Sequence, residues 1–296
     1  MSAAALRQMK TRPRISIHAS AQLMERCMMD QRLKDTLTKV PAVTLGFWII
    51  KILATTLGET GGDAVTMTWL GETTPEAGQS WISGYLIGTA IFGFLLLGLV
   101  WAQIRARTFR PWLYWATIVA STTCGTTMAD FADRSLGIGY PGGSLLLLAC
   151  VLLSLIVWHR TLGSISVNTI VGPREEIFYW ITITFSQTLG TALGDWAADG
   201  GLGYSGGAAV FGAGLLLLAA LYFWTRISRV ALFWTAFILT RPLGATVGDF
   251  FDKPRAAGGL EMSRPLASIL LAAAIIVLIL ILPQRAGRHP GDVPQE

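Results

Sequence analysis

The sequence predicts an all-α integral membrane protein with eight transmembrane helices, arranged as four parallel two-helix repeats around a pseudo-symmetric centre. Three observations lead to this fold class. Of the 296 residues, 52% are hydrophobic and only 14% are charged, whereas soluble domains carry roughly 25% charged residues. The apolar residues lie in eight long runs, and one short motif recurs four times along the chain.

Each apolar run is close to the about 20 residues that cross a bilayer as an α-helix. The predicted spans are, in order, 41–68, 81–104, 112–133, 142–159, 176–198, 205–225, 229–251 and 265–283. Taken two at a time, they give four repeats at about 41–104, 112–159, 176–225 and 229–283. The transmembrane domain therefore covers 40–283, between a basic N-terminal arm at 1–39 and a short tail at 284–296.

The distribution of Lys and Arg predicts the orientation of these spans. Seventeen of the 23 lie on the side of the two chain ends, and only four on the other side: Arg134, Lys253, Arg255 and Arg264. Because positive loops stay in the cytoplasm, both termini are expected to be cytoplasmic, in a multi-pass protein of the inner (cytoplasmic) membrane. The net charge of +5 follows from this topology, so the expected partners are the lipid bilayer and a small ion or solute, with no nucleic acid.

The basic arm at 1–39 is too polar to be a secretory signal peptide. Two interpretations of it stay open. It contains an amphipathic helix near Leu23 to Leu33 that lies on the membrane surface, or it is a disordered arm.

A motif with the pattern W-x9-G-x4-D occurs once in each repeat, in the first of its two helices. Its glycines are Gly58, Gly125, Gly190 and Gly244. Its acids are Asp63, Asp130, Asp195 and Asp249. Its tryptophans are Trp48, Trp115, Trp180 and Trp234. Self-similarity at this period indicates a repeat architecture, and two crossings per repeat make the four motif helices parallel.

On an α-helix the motif places a polar stripe beside a seam of small residues. Numbered from the leading glycine, the residues at −10, −3, +1 and +5 share one face at 100° per residue. Eleven of the twelve residues at −3, +1 and +5 are polar: Thr55, Glu59, Asp63, Thr122, Thr126, Asp130, Gln187, Thr191, Asp195, Arg241 and Asp249. The glycine and the small residue at +4 form a small-xxx-small pattern, which lets helix backbones approach closely.

The motif helices are therefore expected inside the bundle and the plainer return helices outside. Either one four-fold ring or two pairs related by a two-fold axis satisfies the pattern. The acids fall about 12 Å outward of the helix centres, just inside the outer edge of an about 30 Å core. A second acid lies three or four residues from three of them: Asp133, Asp199 and Asp252. Whether these later acids belong to the same site stays open.

Intramembrane acids mark ion or proton pathways by default. We therefore expect a secondary transporter or exporter of a hard cation, such as Mn²⁺ or Mg²⁺, or one coupled to protons. Oxygen-only ligands suit such ions, and the four motif aspartates are the candidate metal ligands. No cofactor is expected beyond a bound divalent cation, and no enzymatic activity, since neither a phosphate-binding loop nor a nucleophile elbow is present.

Other interpretations compete with this one. The aspartates would then cap helices or bond at the bilayer edge, and the tryptophans would serve as packing anchors instead of an inner gate. The chain would alternatively be a proton-coupled carrier of a small organic solute, with Arg241 and the tryptophan face binding it. A third alternative is a non-transporting scaffold or sensor. Lys51 and Arg241 either offset neighbouring carboxylates or contact an anion.

The repeats resemble those of bacterial inner-membrane proteins built from four tandem two-helix repeats of unknown function. The resemblance covers about residues 40–283 and rests on the repeat count, the two crossings per repeat and the four motif tryptophans. It implies an eight-helix inner-membrane protein but no activity. A fainter likeness to cation exporters with a Glu-x-Gly-Asp-Lys/Arg-Ser/Thr motif is broken here, because Glu59 lies four residues before Asp63 and the basic-hydroxyl pair is missing.

Overall fold

The computed structural model describes residues 39–72 and 82–287, which form eight long α-helices. They are α1 (Leu45–Asp63), α2 (Gly84–Arg105), α3 (Pro111–Asp130), α4 (Tyr140–Leu162), α5 (Pro173–Ala197), α6 (Gly203–Trp224), α7 (Arg229–Asp252) and α8 (Arg264–Ile281). The predicted all-α class is confirmed for these ranges. Apart from Lys39, the arm at 1–39 lies outside the described residues, as does the tail beyond residue 287.

The helix starts follow from local sequence. Thr44 and Ser83 precede α1 and α2, and their hydroxyls accept hydrogen bonds of 3.2 Å from the third following backbone N–H. Such side chains satisfy donors that the first helical turn leaves free. Pro111 and Pro173 open α3 and α5, where the missing N–H costs nothing.

Three of the four motif helices widen into a π-helical turn directly after the acidic end of the motif. These turns span Ala64–Trp69 after α1, Phe131–Ser135 after α3 and Ala198–Leu202 after α5. In contrast, α7 ends at Asp252 without such a turn. Since π-turns shift the following side chains around the helix axis, the residues after the motif acids need not continue the stripe.

The four motif helices α1, α3, α5 and α7 contact one another in a closed ring. Helix α1 packs against α3 and α7, and α5 packs against the same two helices. The return helices lie outside this ring: α2 packs on α3, α4 on α5, α6 on α7, and α8 on α1. Each return helix therefore covers the motif helix of the next repeat, and the last repeat closes onto the first.

The motif glycines set the close approach between neighbours in the ring. A Cβ atom added to Gly58, Gly125, Gly190 or Gly244 would come within 3.0 Å of one side chain of the next helix. Those side chains occupy position −3 of the following repeat: Thr122, Gln187, Arg241 and Thr55, respectively. The same position of the motif thus contacts the same glycine at all four junctions, including the junction between the last repeat and the first.

Five helical runs in the described residues are long and apolar enough to cross a membrane by length and composition. They are α2, α4, the continuous run Pro173–Trp224 that contains α5 and α6, α7 and α8. The return helices expose large apolar side chains outward, including Leu97, Leu153, Phe223 and Leu280. Helices α1 and α3 are not among these runs, and their residues of the polar stripe are buried in the ring.

Candidate functional site

The end of the ring at which the motif helices begin is filled by an aromatic cluster. Trp115, Trp180 and Trp234 are buried, and Trp48 packs against them from a partly buried position. The indole of Trp115 donates a 3.1 Å hydrogen bond to Gln284 Oε1, and that of Trp234 donates a 2.9 Å bond to the Ile165 carbonyl. In this conformation the four motif tryptophans are part of a packed core.

The residue before each motif tryptophan is also aromatic, and the sequence reasoning overlooked it. Phe47, Tyr114, Tyr179 and Phe233 are all buried. The hydroxyls of Tyr114 and Tyr179 lie 2.6 Å apart, and the rings of each aromatic pair meet edge to face at 5.1–5.5 Å. The sequence contains a pattern that predicts this cluster, because an aromatic residue directly precedes the motif tryptophan in all four repeats.

The middle of the ring is organised by Arg241, which is fully buried. Its Nη2 lies 2.9 Å from Glu59 Oε2, 2.5 Å from Thr126 Oγ1 and 2.6 Å from Thr191 Oγ1. These three partners occupy position +1 of the first three repeats. The predicted stripe therefore converges on one guanidinium, which offsets the charge of Glu59.

The remaining middle residues behave differently from one another. Thr55 Oγ1 donates to backbone carbonyls, at 2.7 Å to Ile52 and 3.2 Å to Thr240. Thr122 and Gln187 are fully buried, but their side-chain polar atoms have no hydrogen-bond partner within the described ranges. They lie in the ring interior without contributing to the Arg241 network.

The end of the ring opposite the aromatic cluster, called its outer end below, holds the four motif aspartates as two pairs, each bridged by a cation that follows a motif helix. Lys253 Nζ lies 2.8 Å from Asp63 Oδ2 and 3.0 Å from Asp249 Oδ1. Burial alone would lower the pKa of Lys253, but the carboxylates of Asp249 and Asp63 outweigh burial and hold that pKa well above its ordinary value. Lys253 therefore stays charged and ties the first repeat to the fourth.

Arg134 makes the equivalent bridge between the second and third repeats. Its Nε lies 3.1 Å from Asp130 Oδ1, and its Nη2 lies 3.7 Å from Asp195 Oδ2. The Asp130 carboxylate raises the pKa of Arg134 well above its ordinary value, against the opposing effect of burial. Tyr85 completes the contact, because its hydroxyl accepts a 3.3 Å hydrogen bond from Arg134.

Sequence reasoning counted Lys253 and Arg134 as loop charges and missed these bridges. Each follows the aspartate of its own repeat by four residues, Asp249 and Asp130 respectively. That spacing places both side chains on one helical face. The contact of each cation with the aspartate of its own repeat could therefore have been predicted from the sequence. The second carboxylate comes from a helix that is adjacent only in the folded ring.

Carboxylates from different helices also approach closely enough to share a cation. One oxygen each from Glu59, Asp195 and Asp249 lie within 4.8 Å of one another, and so do oxygens of Asp63, Asp249 and Asp252. All five residues are buried. Hard cations bind clustered oxygens of this kind at 2.0–2.6 Å, so small side-chain shifts would bring three ligands to one ion.

The three acids that follow the motif aspartates, Asp133, Asp199 and Asp252, lie in different surroundings. Asp252 joins the second carboxylate group and lies 3.5 Å from Arg264 Nε. Asp133 is turned toward the start of α4, where a Cβ added to Gly143 would meet its carboxylate. Asp199 is exposed in the π-helical turn after α5. Of the three, only Asp252 lies with the motif aspartates.

The comparisons with known proteins bear on the repeats. The family model described as Repeat of Unknown Function (DUF347) matches four consecutive segments, at 46–109, 113–164, 178–228 and 232–285. No curated protein matches the chain, and no solved structure matches it. Each matched segment covers one motif helix and its return helix, so the four tandem repeats expected from the sequence are confirmed, and the chain belongs to the DUF347 repeat family.

Proposed function

We propose that this protein is an eight-span secondary transporter of the inner membrane that moves a hard cation through the centre of its motif-helix ring. The cation binds among the carboxylates of Glu59, Asp195 and Asp249, with the other motif aspartates beside them. The observation that carries the proposal is the convergence of these three buried carboxylates, from three different helices, within 4.8 Å.

The charge balance around these carboxylates supports a cationic substrate. Six buried acids line the outer half of the ring: Glu59, Asp63, Asp130, Asp195, Asp249 and Asp252. Four cations contact them: Arg134, Arg241, Lys253 and Arg264. When all are ionised, two negative charges remain uncompensated, which one divalent cation or two protons would balance.

The bridging cations suggest how a substrate ion would be exchanged. Lys253 and Arg134 contact the motif aspartates through single oxygens, while Asp63 Oδ1 and Asp130 Oδ2 accept no hydrogen bond from any described residue. An entering metal ion would compete with the ammonium of Lys253 for Asp249, because both seek the same carboxylate. Displacing that ammonium would also loosen the junction between the first and fourth repeats.

The membrane topology is part of the proposal. Five helical runs are apolar enough to span a bilayer, and α1 and α3 are enclosed by them in the ring. The excess of Lys and Arg on the side of the chain ends supports an orientation with both termini in the cytoplasm. The four acids then face the outer side, and the aromatic cluster closes the cytoplasmic side.

Transport by reconstituted vesicles tests the proposal. Purified protein in liposomes should take up Mn²⁺, and Asp195→Asn or Asp63→Asn should abolish uptake, since each removes a carboxylate from the outer layer. Asp199→Asn is the matched control: this acid lies four residues from Asp195 but is exposed, so uptake should persist. Unchanged uptake in both motif variants would refute the proposal, and metal-independent flux driven by a pH gradient would favour a proton-coupled solute carrier.

A further inference from the structure

Several fully buried side-chain donors of the motif helices lack a hydrogen-bond partner among the described residues. Four of them are Lys51 Nζ, Thr122 Oγ1, Gln187 Nε2 and Arg241 Nε, and Ser186 Oγ is a fifth. We call Lys51, Thr122, Gln187 and Arg241 the inner donor layer. Leaving a buried polar group unpaired is costly, and more so when the group is charged, so these four groups together call for a ligand.

Three members of this layer come from the same level of the ring. Thr122, Gln187 and Arg241 occupy position −3 of the second, third and fourth repeats. Each lies against the leading glycine of the preceding motif helix. The side chain of Arg241 packs on α5 at Gly190, one turn beyond Gln187.

Lys51 lies one helical turn further toward the inner end, on the first repeat. It lies one helical turn before Thr55, the −3 residue of that repeat, and its Nζ sits 4.1 Å from the centre of the Phe237 ring. Phe237 is four residues before Arg241 on α7, so both share one face of that helix. The ammonium thus lies over an aromatic ring at the inner boundary of the layer, with no hydrogen-bond partner in the described part of the chain.

The unpaired groups of the ring differ along its axis. Toward the outer end they include carboxylate oxygens such as Asp63 Oδ1 and Asp130 Oδ2, together with Nε of Arg134 and of Arg264, which lie beside other carboxylate oxygens. The inner donor layer offers two cationic side chains and both polar atoms of the Gln187 amide. The acid nearest to Arg241, Glu59, is already bonded to its Nη2. A ligand for the inner layer must therefore accept hydrogen bonds and carry negative charge.

We propose that the inner donor layer is a binding site for a small monovalent anion, held by Lys51 and Arg241 with the amide of Gln187 and the hydroxyl of Thr122. Charged donors bind anionic acceptors more strongly than neutral ones, and the buried position strengthens the attraction further. This site adjoins the carboxylates that bind the cation in our proposal, because Arg241 Nη2 lies 2.9 Å from Glu59 Oε2. An anion bound here offsets the positive charge of Lys51 inside the membrane.

The test measures anion-dependent stabilisation of the full chain in detergent. Melting temperatures are recorded while sodium gluconate is replaced by sodium chloride or sodium formate at constant ionic strength; the two arms distinguish a halide from a carboxylate. A ligand that binds only the folded protein stabilises it in proportion to the logarithm of its concentration. We expect chloride or formate to raise the melting temperature. Lys51→Met should lower the affinity for that anion about tenfold or more.

Three variants keep the result interpretable. Lys51→Arg retains the charge and should retain the response, whereas Gln187→Leu keeps both cations but removes a donor and should weaken it. Arg255→Met removes an exposed cation and should change nothing. If Lys51→Met does not fold, the response of Gln187→Leu decides.

Two results would overturn the inference. One is a wild-type melting temperature that neither anion changes, and the other is an anion-dependent rise in melting temperature that is as large in Lys51→Met and Gln187→Leu as in the wild type. Titrating Mn²⁺ in the same assay separates the two proposals. A cation response without an anion response refutes only the anion site. The reverse result refutes only the cation site.

Discussion

The buried pair of Arg241 and Glu59 should show a large coupling energy when each is replaced singly and together. Arg241 is 0% exposed, and its Nη2 lies 2.9 Å from Glu59 Oε2. Removing one partner of a buried pair leaves an uncompensated charge, which costs about 3–5 kcal/mol. Arg241→Met and Glu59→Gln should each lose about that much, while the double variant should lose much less than the sum, giving a coupling of at least about 2 kcal/mol.

The free energies come from denaturant unfolding of the four proteins in one detergent, followed by tryptophan fluorescence. The exposed pair of Arg255 and Glu261, 3.9 Å apart, provides a matched cycle whose coupling should not exceed about 1 kcal/mol. If the losses of Arg241→Met and Glu59→Gln simply add in the double variant, the guanidinium does not compensate Glu59, and our account of the middle of the ring is wrong.

Two further predictions concern packing. Gly190→Ala should destabilise the protein by about 1–3 kcal/mol, because the added methyl would meet the Arg241 side chain; Gly212→Ala, in open space on α6, should have almost no effect, and equal thermal stability of the two variants would contradict the close approach. Tyr114→Phe should lower the free energy of unfolding by about 1–3 kcal/mol, because it leaves the Tyr179 hydroxyl unpaired. Adding Tyr179→Phe should restore most of that stability, and a double variant less stable than the single one would speak against the hydroxyl pair.

The number, order and approximate ends of the helices could be predicted from the sequence. Hydropathy and the motif period are local properties, so the span predicted at 112–133 corresponds to α3 and its π-helical turn, and the one at 205–225 corresponds to α6. The expected inward face of the motif helices also agrees with the burial of residues such as Thr126 and Asp195. Both results need only the geometry of one helix.

The partners within the site could not be predicted in the same way. A helical wheel gives the direction of Asp63 relative to its own axis, but its contact with Lys253, 190 residues later, depends on which helices are neighbours. The convergence of the +1 residues on Arg241 has the same origin. It also depends on Arg241 replacing the threonine or glutamine that the other repeats carry at position −3.

Every return helix packs on the motif helix of the next repeat. This arrangement determines where the chain can be opened and its two ends connected. The bridge between Pro41 and Ala286 brings the two ends of the described chain together, and α8 covers α1 as any other return helix covers its neighbour. The order of repeats around the ring therefore has no structural beginning. A circularly permuted chain that opens between the second and third repeats would keep every helix contact. Two copies of a half-length, two-repeat chain would present each other with the surfaces needed to complete the same ring by exchange of return helices.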